Sequence, residues 1–163
     1  MNNNKLVCET SHAVTDEIAL YDEQISLDAH MELFKFDPEK YFLCEYSSLE
    51  CLQNMKSRAK IIHLSLQWEN VLKIATWKNN INISDIIYLL KNIGMTDEDL
   101  NPFRRGESGD IFPALYYGKN FDTLRRICNI AKKVAEDRLG RNGIRINCHL
   151  VSRDTKKIVA SSL

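Results

Sequence analysis

The apolar positions of this chain follow two periods. Near the C-terminus, Ile144, Ile146, Cys148 and Leu150 alternate with Arg145, Asn147, His149 and Val151. That is the two-residue repeat of a strand with one buried face. Ser152-Arg153-Asp154-Thr155 reads as a turn and residues 156–160 as a returning strand, so the pattern predicts a C-terminal β-hairpin. A lone hairpin is marginally stable and must pack on helices; the extended pieces 5–9 and 17–22 are available to widen its sheet.

Elsewhere the period is helical. Ile61, Leu64, Trp68, Val71, Leu72 and Ala75 fall on one face and predict a helix that starts at residue 61. Phe121, Leu124, Ile127, Cys128, Ala131, Val134, Ala135 and Leu139 predict another, capped by Asn120 or Asp122 and ended by Gly140. Shorter helices follow from their start signals. Ser26-Leu27-Asp28 caps a helix running to Phe36, and Asp37-Pro38-Glu39 opens one from residue 38 towards 46. Ser47 or Ser48 caps 49–58; Ser84-Asp85 caps 86–90, which Gly94 ends; Thr96-Asp97-Glu98-Asp99 starts a last short one, limited by Pro102. Residues 111–117, with Pro113 inside, read as a short strand or an irregular core segment. The expected fold is α+β: a mostly helical single domain over residues 1–163, with five or six helices and a small, largely antiparallel sheet that includes the hairpin.

Composition agrees with one domain. The chain has 163 residues, of which 44% are hydrophobic, enough for a sizeable core. Six glycines and three prolines are too few for a long flexible linker or a turn-dense β-sandwich. Only residues 1–4, Met-Asn-Asn-Asn, look disordered. The apolar start Leu6-Val7 is interrupted at once by Cys8-Glu9, which excludes a signal-peptide core. No stretch approaches the roughly 20 apolar residues of a membrane span. The expectation is a cytoplasmic protein without a membrane partner. Five cysteines (8, 44, 51, 128 and 148) form no Cys-x-x-Cys pair and read as reduced, partly buried thiols.

Charge changes the picture more than composition does. Residues 1–55 hold three Lys/Arg against eleven Asp/Glu, and residues 119–163 hold eleven against four. The formal net charge of zero therefore hides two opposed ends. The leading functional expectation is a non-enzymatic interaction protein of the inhibitor, immunity or adaptor kind. It would dock a basic protein surface on an acidic face at Asp22, Glu23, Asp28 and Glu32. The alternative is nucleic-acid binding through Arg125, Arg126, Lys132, Lys133, Arg138, Arg141 and Arg145, because clustered cations release phosphate counterions. Against it, Lys132–Glu136 and Lys133–Asp137 are neutralising pairs at i,i+4, and no aromatic residue interleaves the patch. The same opposed charges allow the two ends to meet within the fold or between copies in a homo-oligomer.

Motifs that carry chemistry are scarce. Residues 83–105 have the outline of a helix-turn-helix, but the second helix would open on three carboxylates and repel DNA. The loop Arg104-Arg105-Gly106-Glu107-Ser108-Gly109-Asp110 is neither a P-loop nor a nucleophile elbow. A third reading makes it an anion site of Arg104, Arg105, Gly106 and Gly109, in a small-ligand binder or an enzyme that uses this loop or a cysteine. His12, His30 and His63 show no ligand spacing, and Cys148 and His149 point to opposite sides of one strand. No catalytic residue, no metal ligand and no cofactor is assigned. The aromatics at 34, 36, 41, 42, 46, 112, 116 and 117 read as core, or as a protein-binding patch beside the acidic third.

Overall fold

The computed structural model describes residues 16–55, 59–140 and 143–162. The expectations for residues 1–4 and for a strand at 5–9 lie outside the described residues. In chain order the elements are β1 (Glu17–Tyr21), α1 (Gln24–Phe34), a 3-10 turn (Pro38–Lys40), β2 (Tyr41–Leu43), α2 (Ser48–Asn54) and β3 (Ile61–Gln67). There follow α3 (Trp68–Thr76), α4 (Ile83–Asn92), α5 (Asp97–Leu100), a 3-10 turn (Asn101–Phe103), α6 (Ser108–Tyr117), α7 (Phe121–Leu139), β4 (Arg145–Ser152) and β5 (Lys157–Ser161).

The fold is α+β, but its sheet is mixed and mostly parallel. The strand order is β2-β1-β3-β4-β5, and only β4 and β5 pair antiparallel. The predicted hairpin is therefore present, as one edge of a larger sheet. A largely antiparallel sheet was the wrong expectation because parallel partners are not local. Ile18 pairs with Ile62, and Ile62 with Ile146, so no turn signal announces either pairing.

Parallel neighbours need crossovers, and right-handed crossovers decide which face each helix covers. The chain steps outward from β1 to β2, then reverses across β1 to β3 and continues to β4. The reversal places α1 on one face and the later helices on the other. On the second face Ile18, Leu20, Ile62, Leu64, Leu66, Ile146, Cys148 and Leu150 join one core with Val71 and Leu72 of α3 and with Leu124, Ile127 and Ala131 of α7. Side chains of alternate parity point towards α1, whose buried residues are Ser26, Ala29 and His30.

Several elements differ from the sequence reading for identifiable reasons. Residues 61–67 are β3, and the helix begins only at Trp68. Ile61, Leu64 and Trp68 fit a helical stripe, but Ile62, Leu64 and Leu66 fit a strand equally well. Pairing on both sides settles the choice. The signal Asp37-Pro38 starts a single 3-10 turn, after which Tyr41 pairs with Ala19 in β2. Ser47 caps α2, accepting the Glu50 N–H at 3.2 Å, but this helix ends at Asn54. The cap of α4 is Asn82 rather than Ser84-Asp85; Asp85 closes its capping box. Residues 111–117 belong to helix α6, which tolerates Pro113 and opens on a Glu107/Asp110 capping box. The Thr96/Asp99 capping box and the left-handed Gly140 (φ 58°) behind α7 match their signals.

The cysteines also differ from expectation. Cys44, after β2, and Cys51, in α2, form a disulfide, while Cys128 and Cys148 are free and buried. Ser47 ends the extended segment, so the chain turns back and brings the two half-cystines together with their Cα atoms 5.6 Å apart. Among the described residues no helix is long and apolar enough to cross a membrane.

The two-faced sheet makes a direct prediction. Leu66, fully buried on β3, and Leu33, 62% exposed on α1, have the same side chain in opposite settings. Leu66→Ala lowers the unfolding free energy by about 3 kcal/mol, as buried leucine truncations do. Leu33→Ala changes it by less than about 0.5 kcal/mol. Urea titration followed by circular dichroism measures both.

Candidate metal centre

The face of the sheet under α1 is buried but polar. The register sets Glu17 and Ala19 of β1, Tyr41 of β2, His63 and Ser65 of β3, Asn147 and His149 of β4 and Ser161 of β5 on this side. Small residues let α1 come close: Ala19 and Ala29 are buried, and the Ser65 hydroxyl donates to the Ser26 carbonyl at 2.7 Å. His30, one residue after Ala29, is thereby driven down onto the strands.

Three imidazoles meet there. His63 Nδ1 lies 3.0 Å from His30 Nε2 and 2.9 Å from His149 Nε2. All three rings are essentially buried, at 0%, 3% and 4% exposure for His30, His63 and His149. The nitrogen on the far side of each ring has its own partner. His30 Nδ1 faces the Tyr41 hydroxyl at 3.0 Å, His63 Nε2 faces Glu17 Oε1 at 3.0 Å, and His149 Nδ1 faces the Ser161 hydroxyl at 2.8 Å. The Asn147 side-chain amide lies 3.2 Å from His63 Nε2. Phe34 covers the cluster, its ring 4.3 Å from that of His30 and 4.9 Å from those of His63 and His149; Phe36 adds a ring 5.1 Å from His63.

Proton bookkeeping leaves this cluster short of hydrogen bonds. Two groups compete for His63 Nε2: the Glu17 carboxylate, which only accepts, at 3.0 Å, and the Asn147 Nδ2 amide, which only donates, at 3.2 Å. With the charged and nearer Glu17 as partner, His63 donates through Nε2–H and its Nδ1 is a bare lone pair. One lone pair accepts one well-directed N–H. Of the two Nε2 atoms that face it, one can donate; the other crowds it as a second donor or opposes it as a second lone pair. Protonation does not relieve the crowding. Burial, reinforced by the neighbouring imidazoles, pushes His30 and His149 down to about 3, and burial lowers His63 too despite Glu17.

A single cation at the point the three nitrogens share removes the conflict. Each far-side N–H then donates outward, to Tyr41, Glu17 and Ser161, as ligating histidines do. A tetrahedral ion with bonds of about 2.0–2.1 Å sets its nitrogens about 3.3 Å apart. The two distances at His63 Nδ1 are a few tenths of an ångström short of that, and the donor atoms of the three rings all lie within 4.8 Å of one another. Three neutral imidazoles, with neither thiolate nor carboxylate, suit zinc and its late first-row neighbours rather than calcium or magnesium. Among the described residues this is the one group of three such donors so arranged. Comparison of the chain with family models, with curated proteins and with solved structures finds no match.

The residues singled out from sequence are placed differently. Asp22 turns inward: its carboxylate accepts the Ser26 hydroxyl at 2.5 Å, the Gln67 N–H at 2.8 Å and the Asn70 amide at 2.9 Å. Glu23 pairs with Arg153 at 2.7 Å, so at this point the acidic and basic ends do touch. Asp28 and Glu32 are exposed on α1. On α7, Arg125 and Arg126 share Asp122, and Lys132 faces Glu136 at 3.6 Å. Lys133, Arg138 and Arg145 are exposed, and Arg141 lies outside the described residues. In the 104–110 loop Arg104 pairs with Asp97 at 2.9 Å, Arg105 is exposed and Gly109 is already within α6. The Asp110 carboxylate takes the Glu107 N–H at 3.1 Å, filling with the chain's own charge the position an anion would take there.

Sequence reasoning missed the histidines because they lie 33 and 86 residues apart. A signal was nonetheless present: in 61–67 and 145–151 the odd positions carry His63, Ser65, Asn147 and His149 between apolar even ones. The Cys148/His149 split was read correctly, with the thiol in the main core and the imidazole under α1.

The inward role of Asp22 is testable. Asp22→Ala removes the acceptor of three donors and costs about 2–3 kcal/mol, whereas Asp28→Ala stays within about 0.5 kcal/mol. Urea midpoints of the two variants, compared at equal denaturant slope, give the answer.

Proposed function

We propose that this chain is a metalloprotein that holds one zinc-class divalent ion through His30 Nε2, His63 Nδ1 and His149 Nε2. The observation that carries the reading is the approach of His30 Nε2 and His149 Nε2 to the buried His63 Nδ1, at 3.0 and 2.9 Å, with each ring oriented from behind by a separate hydrogen-bond partner. A buried neutral polar cluster with unmet bonds costs stability; an ion that accepts all three lone pairs converts it into a source of stability. Glu17 is the positioning residue of this site. Its carboxylate fixes the His63 tautomer and raises the basicity of the ligating nitrogen.

Metal titration of the chelator-treated protein tests the reading. One equivalent of zinc or cobalt binds, and at 100 times its dissociation constant the ion adds about 2.7 kcal/mol to stability. His63→Ala and His149→Ala abolish this stabilisation, and Glu17→Gln weakens affinity about 10- to 100-fold. A folded wild-type protein that takes up neither ion and whose melting temperature does not move overturns the reading.

A second reading, docking of a cationic protein surface, is supported by the outward side of α1. There Asp28 and Glu32, four residues apart, are exposed beside Leu33, which is 62% exposed. An apolar residue rimmed by carboxylates offers a basic partner both an anchor and charge complementarity. This acidic face consists of Glu23, Asp28 and Glu32, with Asp22 committed to the fold. If a captured partner still binds after Asp28→Lys and Glu32→Lys together, this face is not the docking surface.

A further inference from the structure

The three-histidine centre offers three protein donors, whereas zinc-class ions take four. Among the described residues the group stops at three, because Glu17, the nearest carboxylate, is already spent on the far nitrogen of His63. What stands over the cluster instead is an aromatic ring. Phe34 is the last residue of α1, packs on all three imidazoles and is still 36% exposed. The chain turns away directly behind it through Lys35 in a left-handed conformation (φ 51°). A ring on a helix end with one open side can swing towards solvent without disturbing the sheet.

The charges around the centre are asymmetric. Among the described residues that touch the cluster, an ion of charge +2 bound to neutral imidazoles is opposed by Glu17 alone. Arg145, at the start of β4, pairs with Ile61 two positions before the His63/Asn147 pair and so lies on the same face of the sheet as His63, with the sign of the ion, and the Lys40 ammonium lies 5.9 Å from the Phe36 ring centroid. The walls are apolar and aromatic, so charges near the ion are weakly screened.

Resting on the metal reading above, we propose that the ion keeps one exchangeable position beneath Phe34 and that this position takes a small anion. Phe34 is the gate and Arg145 the source of the anion preference. The fourth ligand is then supplied from solution, as in zinc sites that act on a ligand rather than hold a fold together.

The test uses the full chain loaded with cobalt(II), whose visible absorption reports changes in coordination, with azide as the anionic probe and imidazole as the neutral one. Azide is expected to shift the cobalt bands saturably. Phe34→Ala, with the fold checked by circular dichroism, tightens azide binding about three- to tenfold, the worth of one lost aromatic contact. Arg145→Glu weakens azide and leaves imidazole unchanged. Cobalt that binds one equivalent but does not respond to either probe overturns this inference and leaves the metal reading standing. A response to imidazole without one to azide overturns the anion preference. Failure of the wild-type protein to bind cobalt removes the metal reading, and this inference with it.

Discussion

Strand β3 is paired on both sides, to β4 over Ile61–Gln67 and to β1 over residues 61–65, so its pleat cannot slip without breaking two ladders at once. That constraint decides where every side chain from 61 to 67 goes. Ile62, Leu64 and Leu66 enter the core shared with α3 and α7, while His63 and Ser65 are carried to the opposite side. Because β1 and β4 are in register with it, the same parity extends across the sheet. The apolar core and the polar cluster are thus two consequences of one pairing.

The topology gives these faces unequal cover. The face with α3 and α7 buries large aliphatic side chains and supplies most of the hydrophobic stabilisation. The other is closed by α1 through Ser26, Ala29 and His30. Such a helix contributes little apolar area of its own; close approach, the bond from Ser65 to the Ser26 carbonyl and the network around Asp22 hold it. Placing three imidazoles in that interface is costly for a protein that uses them only for packing, because each unmet buried group costs about 1–3 kcal/mol. An ion shared by the three rings, as proposed above, would turn the same arrangement from a cost into a reason for α1 to be where it is.

The charge separation that dominates the sequence has a smaller structural role than its size suggests. Much of it is consumed locally: Asp122 with Arg125 and Arg126, Glu136 with Lys132, Asp16 with Lys60. Glu23 and Arg153 join the two ends directly. Exposed pairs of this kind contribute little each, so the fold rests on burial and register rather than on the opposed charges.

The local elements were readable wherever a cap or a period acted alone. The long helix between Asn120 and Gly140, the Thr96/Asp99 box and the C-terminal hairpin depend on residues within a few positions of one another. Residues 61–67 show the limit: their pattern satisfies both periods, and only the neighbours β1 and β4 select the strand. The site lay further beyond reach. Sequence determined that His63 and His149 would sit on the polar side of any strand formed there. Bringing them within 3 Å of each other required the parallel pairing of β3 with β4, and adding His30 required a crossover that lays α1 across both. Those contacts span 33 and 86 residues, and at that separation the geometry belongs to the packed chain rather than to any segment of it.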